Sequence, residues 1–209
     1  MMSNEDKIVL VREWYTDPIH WRDDGKGEDC VDYILLAPET MIRGKKVLNI
    51  GCFYPADDMK FGSLAEEWIG IDFLSQVVGR CKMIREHEQL GEEKIKFLCL
   101  DATELPASWS NSFDTVIDFS TGDQMPDDAW HKMLDEVMRV LRADGHFVTT
   151  FADLDYFQRA EVVGEDCGYS RCRSIDTVAE ELRVRGMLLL RIIEGKDVGR
   201  AGILAQKLR

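Results

Sequence analysis

Short apolar runs recur along the chain, and segments with helical periodicity lie between most of them. Each run is long enough for one strand and is apolar on both faces, which is typical of a parallel sheet covered on both sides. Strands that alternate with helices predict βαβ units with right-handed crossovers. The predicted strands span residues 46–50, 68–72, 95–100, 113–119, 146–151, 187–193 and 202–205.

The segments between these runs predict helices. The clearest one follows Pro126, and we expect it to end at residues 143–145, where a glycine can take the left-handed conformation. Ser75 is expected to cap another helix, with Gly91 as its stop. A last helix is expected over residues 176–185, stopped by the glycine that follows. The helix after Pro126 has one apolar stripe, made of Trp130, Met133, Leu134, Val137, Val140 and Leu141.

The last two predicted strands are separated only by residues 194–201, which are too few for a crossover helix. We therefore expect these strands to be antiparallel neighbours. The predicted fold class is α/β: a Rossmann-like, doubly wound, mostly parallel seven-stranded sheet with an antiparallel last strand. One domain is expected over residues 1–209, with a core at 45–209 and an N-terminal segment at 1–44.

Charge and cysteine content bear on partners and compartment. The 209 residues include 26 Lys and Arg against 39 Asp and Glu, a formal net charge of −13. So acidic a chain is a poor match for phosphate backbones, and nucleic acid is disfavoured as a partner. The 6 cysteines form no C-x-x-C pair, which predicts a reducing, cytoplasmic compartment. The sequence shows no signal-peptide pattern and no apolar stretch of membrane length, so no membrane partner is expected. No metal partner is expected either.

Glycine and carboxylate residues stand where the first four predicted strands end. Ligands bind beyond the carboxyl ends of such strands, so these positions predict a pocket. Gly51 lets the backbone come close to a ligand. Asp72, 21 positions later, suits the ribose hydroxyls of an adenosine cofactor. Asp101 can accept a bond from an adenine amino group, and Asp118 is expected at the mouth of the pocket.

The ordered series of motifs resembles the class I S-adenosylmethionine-dependent methyltransferases. The motifs read VLNIGC at 47–52, GID at 70–72, LDA at 100–102, FDTVID at 113–118 and VLRADGHF at 140–147. The similarity covers roughly residues 45–151, and the antiparallel terminal pair extends it to the C-terminus. The resemblance implies methyl transfer from S-adenosylmethionine, with S-adenosylhomocysteine as the product.

The resemblance also implies residue roles. Gly51 and its neighbours would approach the methionine part of the cofactor, Asp72 would hold the ribose, and Phe73 would pack on the adenine. Residues 101–102 would meet the adenine edge, and residues 118–119 would lie near the methionine amino group and the transferring methyl. The expected cofactor-binding residues are Asn49, Gly51, Cys52, Phe53, Asp72, Phe73, Asp101, Ala102, Asp118 and Phe119.

The chain departs from the family pattern in its first motif. The family usually has a carboxylate at the position of Asn49. The family's loop is usually Gly-x-Gly-x-Gly, and this chain has Phe53 and Pro55 in place of two of those glycines. Neither residue tolerates positive φ, so the loop must follow a different path. This departure supports an alternative interpretation, a non-catalytic methyltransferase-like binding or scaffold protein. A nicotinamide-dependent oxidoreductase is a weaker alternative, because a glycine-rich phosphate loop is absent.

The catalytic residue is not identified by the sequence; Asp118 and His20 are the candidates for a general base. His20 lies in the N-terminal segment, where the family often places a lid. Arg171 and Arg173 can bind a carboxylate or phosphate on the acceptor, and a solvated loop is the alternative interpretation of that region. The acceptor itself is unidentified: a small molecule is predicted, with a protein as the alternative.

Overall fold

The computed structural model describes residues 39–53, 55–154, 171–195 and 200–209. His20 and most of the predicted N-terminal segment lie outside these ranges. The strands are β1 (Lys46–Ile50), β2 (Glu67–Asp72), β3 (Ile95–Cys99), β4 (Phe113–Phe119), β5 (Leu141–Ala152), β6 (Met187–Gly195) and β7 (Arg200–Lys207). The α-helices are α1 (Pro55–Gly62), α2 (Ser75–His87), α3 (Asp127–Val140) and α4 (Ile175–Val184). Short 3-10 helices lie at Glu39–Met41, Ala107–Trp109 and Gly122–Gln124.

The strands form one seven-stranded sheet in the order β3-β2-β1-β4-β5-β7-β6. β1 to β5 are parallel, whereas β7 is antiparallel to both β5 and β6. The predicted fold class is therefore confirmed, and so is the antiparallel pairing of the last two strands. The order adds that β7 inserts between β5 and β6.

Hydrophobic side chains cover both faces of the sheet, as the apolar runs predict. Along β1, Val47 packs into the cluster under α2, and Leu48 packs into the larger cluster under α3 and α4. Both side chains are fully buried. Trp68 of β2 and Trp130 of α3 are the largest buried side chains of these two clusters. Burial on both faces explains why the strands read as continuous apolar runs rather than as alternating patterns.

The predicted end of α3 at residues 143–145 is wrong. The helix ends at Val140 and β5 begins at the next residue. Asn111 and Ser112 donate backbone bonds to the carbonyls of residues 139 and 140, at 3.0 and 2.8 Å. Lys207 Nζ donates to the carbonyls of residues 138 and 141, both at 2.7 Å. The last carbonyls are thus satisfied by distant segments, and the positive φ of +63° falls on Asp144 rather than on the glycine after it.

The predicted ends of α2 are also wrong. Leu74 occupies the N-cap position, and the Ser75 hydroxyl makes no capping bond. The carboxylate of Asp72 instead accepts from the Leu74 backbone N–H at 2.9 Å. The helix ends at His87, before Gly91. The last helix, α4, is predicted to within a residue, and Gly186 after it takes a φ of +82°.

None of the helices in the described ranges is both long enough and apolar enough to cross a membrane.

Truncation of the α3 stripe should destabilise the fold. Leu134 is fully buried, so Leu134→Ala is expected to lower the free energy of unfolding by about 2–5 kcal/mol. Lys132→Ala, on the exposed face of the same helix, is the control and should change it by less than about 0.5 kcal/mol. Urea unfolding monitored by circular dichroism measures both. Equal effects of the two substitutions would contradict the assignment of α3 to the core.

Candidate functional site

The strand order reverses at β1, which pairs with β2 on one side and with β4 on the other. The carboxyl ends of these strands therefore separate and leave a crevice between the segments that follow them. Every position expected to bind the cofactor lies at or next to the carboxyl end of one of the first four strands. The sites predicted from separate motifs are thus brought to one edge of the sheet.

Gly51 ends β1 in a conformation that a side chain would not tolerate. Its φ is +77°, and an added Cβ would lie 1.8 Å from Thr121 Oγ1. The backbone N–H groups of residues 51 and 52 both donate to the Ile71 carbonyl, at 2.8 and 3.0 Å. Thr121 Oγ1 donates to the Ile50 carbonyl at 3.0 Å. The turn after β1 is therefore fastened to β2 on one side and to the segment after β4 on the other.

Cys52 and Phe53 follow Gly51 and turn toward the interior. The Cys52 side chain is buried, with its Sγ 3.9 Å from that of Cys81 on α2. The hydrogen bond with Cys81, together with burial, raises the pKa of the Cys52 thiol. Phe53 is half-buried and packs on the cluster under α2. Their backbone, rather than their side chains, follows the crevice side of the turn.

Asn49 is held within a buried polar network. Its Nδ2 donates to Asp58 Oδ1 at 3.0 Å, and Trp68 Nε1 donates to the same oxygen at 2.5 Å. Asn49 is 6% exposed and Asp58 is fully buried. Asp58 is not among the residues that the sequence predicted for the site, and its contact with Asn49 was not predicted. The buried carboxylate beside β1 thus belongs to Asp58 of α1, and Asn49 of β1 supplies the neutral amide that donates to it.

Asp72 ends β2 with its carboxylate beside the start of α2. Burial raises its pKa to about 6, against backbone hydrogen bonds from residues 73 and 74 that lower it. A carboxylate has about four lone-pair sites, so these bonds leave acceptor capacity for hydroxyl groups. Phe73 follows with 39% of its surface exposed, a large value for an aromatic side chain in a folded core. The pair offers an acceptor and an exposed ring at the same strand end.

Asp101 lies in the turn that follows β3. Its Oδ1 accepts from the Thr103 backbone N–H at 2.8 Å and from the Thr103 hydroxyl at 2.7 Å. Asp101 is exposed, and Ala102 is buried in the cluster under α3. The carboxylate therefore stabilises its own turn in this arrangement, the alternative role that a strand-end Asp commonly takes.

Asp118 is fully buried at the end of β4. Its Oδ1 accepts from the backbone N–H groups of Thr121 and Gly122, at 2.9 and 3.1 Å, and its Oδ2 accepts from Thr149 Oγ1 at 3.0 Å. Burial raises the pKa of Asp118 to about 7, and the nearby Asp123 carboxylate adds to the rise. Both oxygens accept hydrogen bonds, Oδ1 from the turn after β4 and Oδ2 from Thr149 of β5, so Asp118 fixes this turn against the sheet. Phe119, the next residue, is half-buried against the cluster under α2.

Arg173 has a structural position rather than the predicted acceptor contact. It is 8% exposed, and its guanidinium carbon lies 4.6 Å from the centre of the Trp130 ring. Its Nη1 lies 3.2 Å from Asp127 Oδ1. Arg171 pairs with the other oxygen of Asp127 at 2.7 Å. Both arginines thus fasten the segment before α4 to the start of α3.

Gly51→Ala should disrupt the crevice. The left-handed conformation alone costs a non-glycine residue about 1–2 kcal/mol, and the contact with Thr121 adds to this. A second change, Thr121→Ala, removes the contact with Oγ1 but leaves Cβ 2.9 Å away and loses the bond to the Ile50 carbonyl, so it should restore only a small part of the loss. Gly79→Ala in α2 is the control, because nothing lies within 4 Å of its added Cβ; it should stabilise by about 0.5–1 kcal/mol. Urea unfolding of the four proteins tests this, and a neutral Gly51→Ala would contradict it.

Asp118 should make stability depend on pH. Its pKa is about 7 when folded against an ordinary 3.8, so the folded state binds the extra proton between these values. The contribution of Asp118 to the free energy of unfolding therefore falls as pH rises through this window, and it levels off above it. Asp118→Asn removes this contribution, so the stability difference between variant and wild type should move in favour of the variant from about pH 4 to 7.

Urea unfolding at a series of pH values measures this difference. Met83→Ala, at an exposed position on α2 without a titratable group, is the control and should give a difference that stays constant. A constant difference for Asp118→Asn as well would contradict the raised pKa.

Comparisons with known proteins agree with this geometry. A family model described as a methyltransferase domain matches residues 43–190. No curated protein matches the chain at a significant level. The N-methyltransferase NodS from Bradyrhizobium japonicum, solved in complex with S-adenosyl-l-homocysteine, superposes with a TM-score of 0.72 at 15% identity, over 97% of this chain and 98% of that chain.

Two further structures show how widely the fold is shared. One is the 1,6-didemethyltoxoflavin-N1-methyltransferase from Burkholderia thailandensis, with bound 1,6-didemethyltoxoflavin and S-adenosylhomocysteine; its TM-score is 0.71 at 17% identity, over 100% of this chain and 92% of that chain. The other is the [4+2]-cyclase SpnF, with a TM-score of 0.70 at 17% identity, over 85% and 80%. From the family match and the strand order, the chain belongs to the methyltransferase domain family and has the fold of the class I S-adenosylmethionine-dependent methyltransferases.

Proposed function

We propose that the protein transfers a methyl group from S-adenosylmethionine to a small-molecule acceptor, in the crevice where β1 and β4 separate. The observation that carries the proposal is the pairing of the Gly51 turn with the Asp72 carboxylate at neighbouring strand ends. Membership of the methyltransferase family supports the reaction class. The two methyltransferase structures named above hold the demethylated cofactor, which supports the choice of donor.

The residues at this edge fit the chemistry of that cofactor. Ribose hydroxyls need acceptors, and the Asp72 carboxylate has lone pairs to spare beside its backbone bonds. Phe73 is exposed enough to lie against an adenine ring. A sulfonium ion is cationic, so the carboxylates along this edge favour it, whereas they would repel a pyrophosphate. When bound, the cofactor supplies an electrophilic methyl group.

The protein's part in such a reaction is mainly positioning. Methyl transfer needs the acceptor atom in line with the methyl group, and a rigid crevice supplies the required orientation. Asp118 contributes by fixing the turn through residues 121–122, which in turn contacts Gly51. A general base is needed only for an acceptor that is protonated and weakly acidic. With its oxygens engaged, Asp118 is proposed as a positioning residue and not as that base.

A calorimetric titration with S-adenosylmethionine and S-adenosylhomocysteine tests the proposal. We expect micromolar binding that Asp72→Ala weakens roughly 10- to 100-fold, because charged hydrogen bonds to the ribose are lost. Asp135→Ala, which removes an exposed carboxylate from α3, is the control and should bind as wild type does. Circular dichroism of each variant separates lost binding from lost folding.

No binding of either compound at millimolar concentration would contradict the proposal. That result would favour the alternative, a methyltransferase-like binding or scaffold protein without turnover. The altered loop from Gly51 to Pro55, where Phe53 and Pro55 replace two of the family's glycines, is the observation behind that alternative.

A further inference from the structure

Arg200 is the first residue of β7, and its position depends on the insertion of that strand. Because β7 runs antiparallel to β5, it begins at the edge where the parallel strands end. Arg200 pairs there with Ala152, the last residue of β5. Its side chain crosses the end of β5 toward β4, where Nη1 donates to Ser120 Oγ. The guanidinium therefore lies beside Ser120, whose chain neighbour Thr121 contacts the turn after β1.

Two contacts hold the Arg200 guanidinium, and the Arg200 side chain remains partly exposed. Its Nη1 also lies 3.3 Å from Oδ2 of Asp123, a fully buried carboxylate that accepts from the Ala152 backbone N–H at 3.1 Å. The Arg200 side chain is 35% exposed. A guanidinium has five N–H donors in a planar fork, and the contacts with described side chains are all made by Nη1. The side chain is thus held at Nη1 and remains partly exposed.

Ser120 adds a second polar group beside the fork. Its φ of +63° places it just past the end of β4, and its hydroxyl lies 3.2 Å from Thr150 Oγ1. Such a hydroxyl donates or accepts according to its partner. The charged guanidinium and the hydroxyl are the types of group that bind a planar or tetrahedral anion.

We propose that Arg200, with Ser120, binds an anionic group of the methyl acceptor, a carboxylate or a phosphate. This inference rests on the proposed function, which is methyl transfer to a small-molecule acceptor. It narrows that acceptor to an anionic compound. The sequence suggested this contact for Arg171 and Arg173. Arg173 is paired with Asp127 and buried over Trp130, whereas the Arg171 side chain, also paired with Asp127, is 32% exposed and its acceptor contact stays a prediction.

The acidic neighbours set the strength of such a site. Asp123 faces Arg200 directly, and burial raises the pKa of Asp123 to about 6, against the opposing effect of Arg200. Asp118 is a further carboxylate close to Asp123. Two more acidic residues of this region are Asp127, at the start of α3, and the buried Asp153, just after β5. Asp123 therefore competes with an incoming anion for the same guanidinium, and its removal should strengthen anion binding.

The experiment uses benzoate and phenyl phosphate as probes, with neutral benzamide as the control compound. Each is titrated into the full-length protein with and without saturating S-adenosylhomocysteine, and the Nε–Hε signals of ¹⁵N-labelled arginines are followed by NMR. We expect saturable binding of at least one anion, with a shift of the Arg200 signal, and none of benzamide. Benzoate binding alone identifies a carboxylate acceptor group, and phenyl phosphate binding alone a phosphate group.

The variants separate ligand binding from a merely structural role. Arg200→Met should weaken anion binding roughly tenfold or more. Arg200→Met/Asp123→Asn should do the same without leaving a buried carboxylate unpaired, so a folding defect of the single variant does not decide the test. Asp123→Asn alone should strengthen binding. Arg142→Met, which removes a half-exposed arginine paired with Asp114 at the opposite edge of the sheet, should have no effect.

The two proposals fail in different ways. If neither anion binds, or if both bind the double variant as tightly as wild type, the role of Arg200 is overturned and the cofactor site is untouched. If S-adenosylhomocysteine does not bind while an anion still does, the proposed function is overturned and the anion site stands as a site of other use.

Discussion

The buried carboxylate of Asp118 holds the crevice together. Its three hydrogen bonds close the turn after β4 and tie that turn to Thr149 of β5. The turn then places Thr121 against Gly51 and Gly122 against the Trp130 ring, where an added Cβ would lie 2.1 Å from a ring atom. It also carries Asp123, the partner of Arg200. The raised pKa of Asp118 is the energetic cost of using a carboxylate, rather than a neutral group, at a fully buried turn.

The sequence predicted the strands well because burial on both faces leaves a local signal in each run. The ends of α2 and α3 were predicted poorly. The last carbonyls of α3 are satisfied by distant residues such as Lys207, and the bond at the start of α2 is made by Asp72 of the preceding strand rather than by Ser75. The same distinction applies to the candidate site. The positions of Gly51 and Asp72 at strand ends were predicted from local pattern and spacing, whereas the position of Arg200 was not, because nothing local shows that β7 begins beside the end of β5. The Asn49 contact with Asp58 was missed for the same reason.

The altered first motif has a physical explanation in the packing of α1. A carboxylate at position 49 would lie about where Asn49 Nδ2 meets Asp58 Oδ1, and two buried carboxylates at that separation would repel each other. The amide at position 49 and the carboxylate at position 58 are therefore a matched pair, and Asn49 cannot be exchanged for the family's usual carboxylate alone. A [4+2]-cyclase with a similar fold illustrates that the sheet by itself does not decide the reaction.

The insertion of β7 has a consequence for the order in which the molecule assembles. β6 is joined to the rest of the sheet through β7, although it precedes β7 in the chain. A partly folded chain in which β7 has not docked therefore leaves β6 without a strand to pair with, and Met187 and Leu189 lose part of the core against which they pack. Docking of β7 joins β6 to the sheet and brings Arg200 to Ser120 in one step, so a partly folded chain has neither.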